Sequence, residues 1–402
     1  MGPLVLACAL LLGLSGRALA QGSAADIEAA LAAEGFENLS VTEEAGGREL
    51  RIAFENRRYR WEVAGLGVAL AIAAAHHEGR LVVVPLHSAI PMAQIEVEAA
   101  DYRAFLRGEL DGQQLFARMT ITNHVTPQEE LGQNSSFGRV DITFAPGVRL
   151  NLVTPAPPGV FSGGELRLNP GVYANLWRGL TFEGTYVYPL SSSDPVIGRA
   201  VGSVNARVGK EGYFQAQAGR LAEGLDGFVA QISHLSADGQ HRVGLTVGQA
   251  AYPGMDRTLS YQGFYSWRPT FLDLTATVGL GRFLGGDTGY TLGVVSGFGE
   301  RSVEFFMNKT SFSRTLGAGF TIPLGWQRQA RPAPVRFRFR NAFRFVYTDE
   351  KPLRDGGLTI PLSDGYQVAI RRWNRTYLQS YARQLRDAGS KWAPADTTEL
   401  GE

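Results

Sequence analysis

The spacing of apolar positions divides the chain into two regimes. In the first, helical and strand-like stretches alternate. Asp26 to Gly35 reads as a helix, with Ile27, Leu31 and Phe36 at helical spacing and Gly35 as its stop. Asn38 to Val41 and Glu49 to Phe54 read as strands, the second with Leu50, Ile52 and Phe54 on one face. Tyr59 to His76, rich in Ala and Leu, is the strongest helical stretch, and Gly79 ends it. Leu81 to Leu86 and Ala93 to Val97 are again strand-like. The order α-β-β-α-β-β predicts a small two-layer α/β module over 21–110. Glu109 to Gln133 reads as a polar connector, giving a linker over 111–135.

From residue 136 the period changes to two. Val140, Ile142 and Phe144 alternate with Arg139, Asp141 and Thr143; Phe214, Ala216 and Ala218 alternate with Gln215 and Gln217. The longest run sets Leu272, Leu274, Ala276, Val278 and Leu280 against Asp273, Thr275, Thr277 and Gly279. Turn clusters such as Leu225-Asp226-Gly227, Ala237-Asp238-Gly239 and Gly285-Gly286-Asp287 punctuate the runs. Segments of about ten residues, apolar on one face and polar or glycine on the other, predict a transmembrane antiparallel β-barrel over 136–348. Counting the alternating runs gives about twelve to fourteen strands.

A soluble β-sandwich also alternates. Three features favour the barrel. The strands exceed the usual soluble length of about five or six residues. Aromatics gather near strand ends (Trp177, Tyr186, Tyr188, Trp267, Phe271, Tyr290, Trp326, Tyr347), as membrane girdles do. The chain also opens with a secretory signal: Pro3 to Leu14 is nearly all apolar, and Ala18-Leu19-Ala20 forms an A-x-A cleavage site, so 1–20 is read as signal peptide. Val63 to Ala75 is too short for a membrane-spanning helix, which needs ~20 residues.

Composition narrows the function. Lys and Arg number 39 against 38 Asp and Glu, so no nucleic-acid partner is expected. The one cysteine, Cys8, lies in the signal, which leaves no disulfide, thiol chemistry or Cys-based metal site in the processed chain. Nothing resembles a phosphate loop, and no cofactor is expected. His76, His77 and His87 lack zinc-ligand spacing.

One expected strand stands apart. Val335, Phe337, Phe339, Phe343 and Phe345 share a face, and Arg336, Arg338, Arg340 and Arg344 share the other. Bare Arg in lipid costs ~2–4 kcal/mol near the midplane, so the arginines should face the lumen. There they either pair with carboxylates such as Asp273 or Glu183, or form a wall that attracts anions or polymer. Beyond the strand, in the tail over 349–402, Trp373, Tyr377, Tyr381 and Leu385 recur at helical spacing within Arg371 to Ala388. An amphipathic helix is expected, docked on the α/β module or on lipid headgroups.

The run Gly279-Leu280-Gly281-Arg282-Phe283-Leu284-Gly285-Gly286-Asp287-Thr288-Gly289-Tyr290-Thr291 resembles the strand-turn-strand of the YjbH family. Gly317 to Leu324, ending Ile322-Pro323-Leu324, is similar to its second pattern, and Phe54-Glu55-Asn56-Arg57-Arg58-Tyr59-Arg60 to its N-terminal one. The resemblance implies a non-enzymatic outer-membrane protein of Gram-negative bacteria with a periplasmic N-terminal module. It would assist exopolysaccharide export or surface assembly, with periplasmic export proteins, the polymer and outer-membrane lipid as partners. The motif residues Arg282, Gly285, Gly286, Asp287 and Gly289 read first as a tight turn. Two alternatives are an anion-preferring porin and an outer-membrane lipid or polysaccharide hydrolase. The hydrolase would rest on His234-Leu235-Ser236, where i and i+2 share a strand face.

Overall fold

The computed structural model describes residues 23–44, 46–125, 132, 134–150, 164–190, 194–254, 256–312, 314–348 and 359–392. The signal peptide expected over 1–20, with Cys8, lies outside the described residues.

The N-terminal part is an α/β module. It contains α1 (Ala24–Glu34), β1 (Glu37–Glu44), β2 (Glu49–Glu55), α2 (Glu62–His76), β3 (Arg80–His87), β4 (Ile90–Pro91), β5 (Gln94–Glu98), α3 (Ala99–Arg107), α4 (Gly112–Arg118) and β6 (Thr120–Thr122). Ser23 and Asp26 form a capping box at the start of α1, and Gly35 ends it at φ 109°. Helix α2 has no charged residue between Glu62 and His76, and its residues from Val63 to Ala74 are nearly all buried. Charge-free on every side, it can be buried all round, between the sheet and the chain's C-terminal helices. The sheet order is β1-β2-β3-β5-β6, with β4 paired to β3.

The stretch read as a polar connector is folded. Helix α4 has its own capping box from Asp111 and Gln114, and β6 pairs with β5. Leu115, Phe116 and Met119 bury the few apolar side chains there in the module core. Helix α3 was also missed. Its buried side chains Tyr102, Phe105 and Leu106 lie at helical spacing, but over only nine residues.

The second regime forms one large sheet. Its first strands are β7 (Val140–Leu150), β8 (Gly164–Trp177), β9 (Leu180–Pro189), β10 (Val196–Val208), β11 (Gly212–Ala222), β12 (Leu225–Leu235) and β13 (His241–Ala251). There follow β14 (Thr258–Trp267), β15 (Leu274–Arg282), β16 (Thr288–Phe298), β17 (Arg301–Thr310), β18 (Arg314–Pro323), β19 (Val335–Phe339) and β20 (Ala342–Thr348). Strands β7 to β18 pair antiparallel with their chain neighbours. The Phe/Arg run is two strands rather than one. Strand β19 lies parallel to β7, and β20 lies antiparallel to β18, so one chain segment touches both edges of the sheet in succession. The switch falls at Arg340 and Asn341, where the Arg340 amide donates to Phe144 and the Leu324 amide to Asn341.

The polarity of this sheet is inverted relative to a soluble core. Leu168, Ile232, Val243, Leu245, Leu280, Leu292 and Phe337 stand exposed, Leu280 at 64%. Asp141, Thr143, Asn175, Ser203, Asn205, Gln215, Gln217 and Ser233 are buried.

One end of the sheet carries the module. The Gly179 amide donates to Ser88, Asn123 to Ala237 and Val125 to Lys210, each across a strand turn. The other end carries the turns around Gly224 and Gly286. The tail is three short helices, α5 (Asp364–Arg372), α6 (Arg375–Ser380) and α7 (Ala382–Gly389), where one was expected. Asn374 breaks the run by capping α6 through the Tyr377 amide. Trp373, Tyr377, Tyr381 and Leu385 all bury into the module core.

Candidate functional site

A cavity of about 1070 Å³ lies on the concave face of the large sheet, and every strand from β7 to β20 contributes to its wall. The tail from Pro361 to Trp373 also lines it. Ile360 packs at the end remote from the module, with Val201, Leu221, Leu225, Val229 and Leu284. Ser363 donates to Glu183 (2.7 Å) and receives a bond from Arg199 (2.9 Å). The Gln367 amide donates to Gln215 (2.6 Å), and the Tyr366 hydroxyl to the Ala206 carbonyl (3.0 Å). Tyr381 reaches Asp273 (3.1 Å) at the module end. The tail thus runs the depth of the concave face.

The four arginines of the Phe/Arg run do not form an open wall, because each sits on a carboxylate. Arg336, 3% exposed, forks onto Asp141 through Nε (2.6 Å) and Nη2 (3.2 Å). Arg338 holds the same carboxylate at 3.0 Å and Asn341 at 2.9 Å. Arg340 contacts Glu183 at 3.3 Å and Thr185 at 2.7 Å. Arg344 forks onto Glu304 at 2.8 and 2.9 Å. Of the two carboxylates singled out in the sequence, Glu183 pairs with Arg340 and Arg199, whereas Asp273 accepts from Tyr381.

Asp141 also anchors Arg57 of the module at 2.7 Å, and Arg57 reaches Glu37 at 3.3 Å. Burial opposes the charge on Arg57, but the Glu37 and Asp141 carboxylates outweigh it and raise its pKa. The segment similar to the N-terminal family pattern is therefore the joint between module and sheet. Glu55 takes the Ser88 and Ala89 amides of the β3–β4 turn. Asn56 accepts from the Tyr59 amide (2.8 Å), shaping the approach to α2. Arg60 forks onto Glu300 at 2.7 and 2.6 Å. Sequence reasoning had assigned none of these roles. The signal available was a cluster of charged residues between a strand and an apolar helix.

The Gly-rich motif caps the remote end. Gly286 takes φ 84°, a left-handed conformation that suits glycine. The Phe283 amide donates to the Asp287 carbonyl and the Gly286 amide to the Phe283 carbonyl. Arg282 folds back to the Gly286 carbonyl at 3.2 Å. Asp287 is buried. Gly289 lies against the Lys309 backbone, where a Cβ would approach the carbonyl oxygen to 2.1 Å. Gly285 makes the bend between Leu284 and Gly286, and Leu284 is turned onto Ile360 of the tail.

Three further arginines face the cavity without a carboxylate ligand among the described residues. Arg242 bonds Ser233 (3.0 Å), Gln231 (2.8 Å) and Gln367 (3.0 Å). The Arg268 guanidinium reaches the Gly239 carbonyl at 3.3 Å and no other group among the described residues. The Arg371 guanidinium, on α5, has no partner among the described residues.

The hydrolase geometry does not assemble. The Ser236 hydroxyl donates to Asp238 within its own turn and accepts the His241 amide at 3.0 Å. His234 turns to Glu211 at 3.4 Å. Among the described residues no group of three His, Cys, Asp or Glu could hold a metal ion, and no helix is long and apolar enough to cross a membrane. Comparison with known proteins finds no matching family model, no matching curated protein and no matching solved structure.

Proposed function

We propose that the chain is an outer-membrane β-barrel, closed by the segment 335–348, with a periplasmic α/β module, and that it assists exopolysaccharide export or surface assembly without catalysing a reaction. The observation that carries the membrane reading is the inverted polarity of the large sheet. Water would penalise a continuous exposed surface of Leu, Val and Phe, whereas acyl chains would accept it. Aromatic side chains mark both rims of that surface. Trp177, Trp267 and Trp326 stand exposed at the module end, and Tyr186, Tyr188 and Tyr290 near the other. The buried face is lined with hydroxyl, amide and guanidinium groups, chemistry suited to a hydrated, hydroxylated polymer.

The polysaccharide assignment rests on the resemblance of the segments at 54–60, 279–291 and 317–324 to the YjbH family. The tail lying in the cavity argues against a general anion-preferring porin, since it occupies the path that small ions would take. The paired state of Arg336, Arg338, Arg340 and Arg344 argues in the same direction. The module, joined to the barrel through the Arg57–Asp141 and Arg60–Glu300 pairs, would present its outer surface to a periplasmic export protein.

Deleting the gene in its native host tests the proposal. Surface polysaccharide is expected to disappear while intracellular polymer persists. Unchanged surface staining would sink it. A lipid A acyl pattern that changes on Ser236→Ala would favour the hydrolase instead.

A further inference from the structure

We propose that Arg242, Arg268 and Arg371 form a binding site for the carboxylate of an acidic sugar unit inside the cavity of the large sheet. The contact with an oxyanion stands on geometry; the sugar rests on the export reading above.

The three side chains come from separate places in the chain. Arg242 opens β13, Arg268 follows β14, and Arg371 lies near the end of α5. All three line the same cavity. They differ from Arg338, Arg340 and Arg344, which share that cavity but each hold a carboxylate. Arg268 is only 5% exposed and its Nε is buried without a partner. A buried guanidinium with no carboxylate in contact is costly to keep. The nearby carboxylates stop short of contact: Asp273 acts through space on Arg268 and Arg371, and Glu304 and Asp364 on Arg371, yet Asp273 bonds Tyr381 while Glu304 and Asp364 lie on Arg344. Burial and the neighbouring charge of Arg371 pull Arg268 down to about 10. Burial and Arg372 likewise lower Arg371. An entering oxyanion would relieve this crowding, and forked guanidinium groups match its geometry.

Two features point to a sugar acid rather than a small inorganic ion. The cavity, at about 1070 Å³, is far larger than one phosphate needs. Between ion-paired carboxylates such as Glu183 and Glu304, its wall carries Asn169, Thr185, Ser266 and Thr277, neutral groups able to hydrogen-bond sugar hydroxyls.

The test uses the purified full-length protein in detergent, titrated with trigalacturonate, maltotriose and inorganic phosphate. Trigalacturonate is expected to bind at least about tenfold more tightly than either of the others, the worth of one charge-assisted contact. Arg268→Gln and Arg371→Gln should each weaken it by about tenfold. Arg220→Gln should leave it unchanged, because Arg220 already pairs with Asp226. Equal binding of maltotriose, equal binding of phosphate, or unaltered affinity in both Gln variants would overturn the proposal. A second readout needs no variant: trigalacturonate should shield Arg268 and Arg371 from phenylglyoxal, and failure to shield them counts against the site. Binding combined with intact surface polysaccharide in the deletion strain would refute the export reading alone. Loss of surface polysaccharide without binding would refute this site alone.

Discussion

Three arginines converge on Asp141, as three do on its neighbour Glu37. Arg57, Arg336 and Arg338 all bond Asp141, and the first two are almost fully buried. Removing one partner of a buried ion pair costs about 3–5 kcal/mol, because the remaining charges are stranded. Asp141→Ala should therefore lower unfolding stability by that order, measured by urea titration in detergent. Arg344→Gln, at a half-exposed pair, should cost about 1 kcal/mol or less. His87 supplies a pH dependence. Burial holds its imidazole below the ordinary value. The unfolded chain takes up this proton below about pH 6.5 while the folded chain resists it. The contribution is present above that pH and declines as pH falls through it. His87→Gln should flatten the decline in a stability profile from pH 8 to pH 5.

At the scale of elements, the contact between α2 and α7 decides where the tail goes. A Cβ on Gly67 would lie 2.4 Å from the Leu385 carbonyl oxygen, and one on Gly389 2.9 Å from the Gly67 carbonyl oxygen. The two helices approach closely because both residues are glycine. Gly67→Val should push them apart at a cost of about 1–3 kcal/mol, and hydrogen exchange should rise across residues 375–392. Unchanged exchange there would mean that the tail is held by its contacts in the cavity alone. The Phe/Arg run carries the complementary lesson. Its alternation was legible, but the division into β19 and β20 was not, because pairing with two different edges is a property of the partners.

At the scale of the whole molecule, the tail lies within a cavity that every strand of the large sheet helps to line. Its remote anchor is Ile360, set among Val201, Leu221, Leu225 and Leu284. Ile360→Arg would place a charge in that apolar cluster and should release the tail from the remote end. In planar bilayers the unaltered protein is expected to show little conductance, and the variant discrete open steps. Large steps in the unaltered protein would show that the tail does not obstruct the passage.

Local order was largely written in the chain. Period-two alternation between Val140 and Thr348 specifies strands, since neighbouring side chains on an extended backbone point to opposite faces. Apolar helical spacing specifies α1 and α2 for the corresponding reason. The α3–α4–β6 stretch escaped because short, polar elements owe their stability to the core they join rather than to their own periodicity. The site was less legible still. That Arg336 meets Asp141, that Arg344 meets Glu304, and that Arg242, Arg268 and Arg371 contact no carboxylate among the described residues are facts about residues distant in sequence. Pairing energy depends on separation in space and on burial, and only the packing of the strands and the tail sets either one.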